Sequence, residues 1–88
     1  MTIPIRLPNL GSGDENVRVS CWLVDIGDTV EAGDRLVEVL LPGMTFDVPA
    51  PESGVVTRIE RSFDDIVAEG DILGWIKASN AETDDDLG

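Results

Sequence analysis

The chain contains a copy of itself. Residues 26–39, IGDTVEAGDRLVEV, set above residues 63–76, FDDIVAEGDILGWI, align Asp28 with Asp65, Val30 with Val67, Gly33 with Gly70, Asp34 with Asp71 and Leu36 with Leu73. The five identities in fourteen positions share one offset of 37 and fall at turn-type or core-type residues, so the segments read as structural repeats. A weaker echo lies upstream, where Ile5-Arg6-Leu7-Pro8 resembles Phe46-Asp47-Val48-Pro49 at an offset of 41. The four-residue difference is assigned to an insertion at Gly11-Ser12-Gly13-Asp14.

In V-x-x-G-D-x-L the glycine takes a positive φ at no steric cost and the aspartate bonds nearby backbone amides, while valine and leucine re-enter the core. Asp28, Asp34, Asp65 and Asp71, placed symmetrically, are therefore expected to be turn formers. Between turns the pattern is strand-like. Val17, Val19, Cys21 and Leu23 alternate with Arg18, Ser20 and Trp22, which puts Cys21 on the apolar face as an inert thiol and Trp22 on the opposite face. Further strands are expected over residues 3–7, 35–41, 44–48, 55–60 and 72–77, and no window carries a helical apolar stripe. Each half is a four-strand unit unable to bury its apolar face alone. The fold class is all-β: a sandwich or flattened barrel of two four-stranded antiparallel sheets with quasi-two-fold symmetry. Pro8, Pro49 and Pro51 suit strand ends, where a missing amide donor is harmless.

With 88 residues, 42% of them hydrophobic, there is material for one core and no more. Residues 1–79 are assigned to the module and residues 80–88 to an acidic tail or linker. Formal net charge is -12, from 18 acids against six bases; without Glu82, Asp84, Asp85 and Asp86 the body still has 14 acids. On composition alone, such a chain is expected to offer no basic patch to nucleic acid or anionic membranes. The single cysteine, the absence of histidine, and the lack of a signal or membrane-spanning pattern point to the cytoplasm and away from zinc sites and hydrolase triads. Asp84-Asp85-Asp86 and Asp64-Asp65 lack the glycine and spaced oxygens of a calcium loop.

The repeats are joined by LLPGMTF, the most apolar run in the chain, interrupted by Pro42-Gly43. Proline at i+1 and glycine at i+2 specify a type II turn over Leu41 to Met44, at the tip of the hairpin linking the two halves.

Residues 22–34, WLVDIGDTVEAGD, with Leu36 and Glu38-Val39, resemble the first half of a lipoyl domain, the biotinyl/lipoyl carrier family. Phe46-Asp47-Val48-Pro49-Ala50-Pro51, Gly54-Val55-Val56 and Gly70-Asp71-Ile72-Leu73 match its second half, so the resemblance covers nearly the whole chain. It implies a flattened β-barrel whose linking hairpin carries a cofactor lysine. That lysine bears lipoate in 2-oxoacid dehydrogenase complexes and biotin in carboxylases. The family's lipoyl tip reads Asp-Lys-Ala ahead of an Ala-Pro or Ser-Pro pair. Counting back from Ala50 places the lysine position at Gly43, with Pro42 for the aspartate and Met44 for the alanine.

Glycine has no amine to acylate, so no cofactor is expected, and the resemblance does not extend to covalent carriage. The chain's only lysine, Lys77, is expected among the termini of the family fold and is a poor substitute acceptor for lipoate or biotin. No catalytic or metal-binding residues are expected. The remaining candidate site is the tip, where Leu40, Leu41, Met44 and Phe46 replace a polar family tip; two outward residues there would anchor a protein partner, a parent multi-enzyme complex or a weak homodimer.

Overall fold

The structure, a computed structural model, describes residues 1–11 and 16–78. Eight strands form in sequence: β1 (Thr2–Arg6), β2 (Val17–Trp22), β3 (Thr29–Val30), β4 (Arg35–Leu41), β5 (Met44–Pro49), β6 (Gly54–Ile59), β7 (Ile66–Val67) and β8 (Ile72–Ala78). They make two four-stranded antiparallel sheets, ordered β1-β8-β6-β3 and β5-β4-β2-β7, so the all-β, two-sheet expectation holds. Each sheet mixes the halves: the central strands of one half are edged by the outer strands of the other. No half can therefore close its own core.

The repeat is visible atom by atom. Asp28 and Asp65 accept from the amides of Asp25 and Ser62, both at 2.8 Å. Asp34 and Asp71 accept from Glu31 and Ala68 at 2.9 and 2.8 Å, so all four aspartates form turns as their symmetric placement implied. Gly33 and Gly70 take φ of 92° and 87°, and Val30, Val67, Leu36 and Leu73 are buried. Pro4 stands inside β1, an edge strand, which is where a strand tolerates it.

Two sequence expectations are corrected. The amide of Leu7 bonds the carbonyl of Asp71, and the amide of Ala50 bonds that of Asp34; Gly70 and Gly33 return the bonds to Leu7 and Ala50. Leu7 is thus equivalent to Ala50 and Ile5 to Val48, an offset of 43 where 41 was expected. Against the constant 37 elsewhere, the first half carries six extra residues, not four. The offsets 41 and 43 have the same parity, so both satisfy strand alternation, and only the bonding selects between them. Part of the insertion lies outside the described residues.

The second correction concerns β2. Val19 pairs with Val39 but Cys21 with Glu38, leaving Ser20 as an extra residue, a β-bulge that reverses the facing of the residues after it. Cys21 is therefore exposed, its Sγ 3.6 Å from Glu38 Oε1, and not buried on the apolar face. Trp22 turns inward, packs on the core and donates its Nε1 proton to the carbonyl of Arg61 at 2.6 Å. Leu23, counted on the apolar face, is exposed. The same bulge recurs 37 residues later at Thr57, and a second pair stands at Leu36 and Leu73.

Candidate functional site

The β4–β5 hairpin is anchored at its base, where Gly33 and Asp34 bond Ala50, and ends in Pro42-Gly43. Leu41 pairs with Met44 across that turn, and Gly43 has φ of 79°, the value a type II turn requires at i+2. Proline cannot take positive φ, so the primed turns that suit the strand twist are excluded. The register is held by the pairs below the turn.

Those pairs run out of core. On the inward face Val37 faces Val48, then Val39 faces Phe46, then Leu41 faces Met44. Burial falls along this series: Val37, Val39 and Val48 are buried, Phe46 and Leu41 are half-buried against the core, and Met44 is 58% exposed. The hairpin is longer than the sandwich that supports it. On the outward face Leu40 is 42% exposed and faces Thr45. Of the four tip residues singled out from sequence, Leu40 and Met44 therefore stand out, on opposite faces, while Leu41 and Phe46 lean inward.

The outer face adds a residue that sequence reasoning missed. Arg18 of β2 lies between Leu40 of β4 and Ile66 of β7, and Ile66 is as exposed as Met44. Arg18 is held by Asp64 at 2.9 Å, so its alkyl stem lies between two apolar neighbours. The signal was present: Val67 is the core residue shared by both repeats, so the adjacent Ile66 has to face outward.

Lys77 lies elsewhere. It pairs with Thr2 and Val55, and Ala78 after it pairs with Gly54, four residues beyond the Ala50 anchor. That is the base end of the hairpin, and the seven residues of β4 span about 20 Å to the tip. Lipoate and biotin are joined to their carriers through a lysine amine; Gly43 has no side chain, and Lys77 is at the other end of the hairpin from Pro42-Gly43. Among the described residues no three acidic, cysteine or histidine side chains gather as a metal site, and no helix is long and apolar enough to cross a membrane.

A family model described as biotin-requiring enzyme, the biotin/lipoyl family, matches residues 3–76, and the chain belongs to this family. The dihydrolipoyllysine-residue acetyltransferase component of a pyruvate dehydrogenase complex from Staphylococcus aureus is 33% identical over 82 residues, 93% of this chain and 19% of that protein. The corresponding component from Corynebacterium glutamicum is 32% identical over 76 residues, 86% of this chain and 11% of that protein. The chain thus spans a fifth or less of the length of these relatives. The solution structure of the lipoyl domain of a 2-oxoglutarate dehydrogenase complex from Azotobacter vinelandii superposes with a TM-score of 0.68 at 24% identity, covering 85% of this chain and 95% of that one.

Proposed function

We propose that the chain is a lipoyl-type module that docks non-covalently through its hairpin tip, as an assembly element of an acyltransferase-type component in a 2-oxoacid dehydrogenase complex. The observation that carries the reading is the tip itself. By the resemblance, Gly43 falls at the position where the family attaches its arm, and Leu40 and Met44 are exposed beside it.

The symmetry sharpens the point. Leu40 is the repeat equivalent of Lys77, and both positions are exposed. The fold accepts a lysine there, so leucine at position 40 is not demanded by packing. Fully burying a Leu or Met side chain is worth about 1.5–3 kcal/mol. Two side chains that start half-exposed would together contribute about that much, enough for tenfold to hundredfold in affinity at about 1.4 kcal/mol per decade. This suits transient docking better than a permanent interface.

The test is a titration of the chain against the dihydrolipoamide dehydrogenase and the decarboxylase of the same organism, followed by calorimetry. Leu40→Ser with Met44→Ser should weaken binding by at least about tenfold. Equal affinity of wild type and double variant, or no binding to either enzyme, sinks the docking reading. Intact mass of the chain from its native source tests the carrier side: a lipoyl or biotinyl adduct would overturn it. Replacing the tip by Pro42→Asp, Gly43→Lys and Met44→Ala should create a substrate for a lipoate ligase.

A further inference from the structure

The outer face of the β1-β8-β6-β3 sheet departs from the charge of the rest of the molecule. Four of the six cations of this -12 chain, Arg6, Arg58, Arg61 and Lys77, gather there around Trp75. Two shallow hollows of about 410 Å³ each adjoin on the half-buried indole, one reaching Arg6 and Arg61, the other Arg58 and Lys77. Both include Glu60, whose carboxylate is already engaged: Oε2 accepts from Trp75 Nε1 at 3.0 Å and lies 3.3 Å from Arg58; the first also includes Asp71, whose Oδ2 accepts from the Ala68 amide at 2.8 Å. Arg6 gives its NH1 proton to the carbonyl of Gly70, and neither it nor Arg61 nor Lys77 meets a carboxylate among the described residues. On the other sheet, by contrast, Arg18 and Arg35 are each paired with an aspartate, at 2.9 and 3.5 Å.

We infer that this face is a docking surface for the chain's own acidic segment, residues 79–88, which lies outside the described residues. Charge complementarity is the first argument: the segment supplies Glu82, Asp84, Asp85 and Asp86 and no cation. Arginine forks bind carboxylates bidentately, and Leu87 is the apolar residue available to cover the indole. Reach is the second. The segment leaves from Ala78, one residue past Lys77 and three past Trp75. Serine and asparagine at 79 and 80 are residue types compatible with a turn, and six extended residues reach about 20 Å, more than the two-residue step from Lys77 back to Trp75. Tethering is the third. A free acidic peptide is repelled by a body with 14 acids and six bases, whereas a short tether holds the segment at millimolar effective concentration.

Nitrogen-15 NMR of the full chain tests this through the Trp75 indole resonance, assigned with Trp75→Phe. In a variant carrying Glu82→Gln, Asp84→Asn, Asp85→Asn and Asp86→Asn, the Trp75 indole and the Lys77 and Arg58 amides should shift, while the Trp22 indole stays in place. Raising salt to about 1 M, where the Debye length is about 3 Å, should move the wild-type Trp75 peak in the same direction. Arg61→Glu with Lys77→Glu, neither of which is paired with the Glu60 carboxylate that holds the indole, should reproduce the shift, and adding Glu82→Lys, Asp84→Lys, Asp85→Lys and Asp86→Lys to that variant should return the resonance toward the wild-type position. A Trp75 resonance indifferent to neutralising the segment overturns the inference. So does a resonance that responds only to an acidic peptide added in trans, which would assign the face to a partner.

Discussion

The last two residues of β4 and of β8 occupy equivalent places in the two repeats, yet one pair is Leu40-Leu41 and the other Lys77-Ala78. Their exposure is the same, outward then half-buried. The difference lies in where each strand leads: β4 runs into a hairpin that outreaches the core, while β8 ends between β1 and β6. Where the halves agree, in the aspartate turns, the paired bulges and the buried leucines, they describe how the chain folds. Where they disagree, they mark what folding does not require.

The comparison can be tested at four depths. Leu36→Ala and Leu73→Ala, both at sites with no exposure, should each destabilise by about 2–5 kcal/mol in urea unfolding. Unequal losses would show that the two-fold symmetry is one of outline only. Gly74→Ala should cost about 1–3 kcal/mol, since its Cβ would sit 2.6 Å from the Arg58 carbonyl and 2.9 Å from the Trp22 ring. Here the halves diverge in a matched way: the first half has the bulky Trp22 where the second has Ile59, and valine at position 37 where the second has glycine.

A third test concerns the turns. Gly27 at φ 98° corresponds to Asp64 at φ 73°, so Gly27→Asp makes the first half mimic the second. The left-handed backbone should cost about 1–2 kcal/mol, read as a lower urea midpoint. The smallest effect is at the tip. Leu40→Lys, which copies Lys77, should alter stability by less than about 0.5 kcal/mol while weakening the proposed docking to a dehydrogenase component by up to about tenfold. A large loss of stability would mean that Leu40 serves the core after all.

Much of this was legible in the residues. The 37-residue repeat gave the two-sheet plan, the aspartates gave the turns, and Pro42-Gly43 gave the hairpin with the right turn type. The facing of Cys21 and Trp22 was not legible, because a bulge adds one residue without changing the local chemistry of Val-Ser-Cys-Trp. The size of the insertion was missed for a related reason: Ile5 can match Phe46 or Val48 on the same face, and only inter-strand bonds distinguish them. At the tip, alternation put Leu40 and Leu41 on opposite faces but could not say where the supporting core ends. That limit depends on the other sheet.

The interleaving of strands has one more consequence. Because each half edges the sheet whose centre belongs to the other, the molecule is topologically a domain-swapped dimer of two related peptides, kept together by a two-residue leash at Pro42-Gly43. Seen as an association reaction, folding is the docking of a ligand onto its own covalently attached receptor. A chain cut at the leash should then reassemble from its two fragments with a concentration-dependent melting temperature, and the turn's contribution to stability would be read directly as an effective molarity.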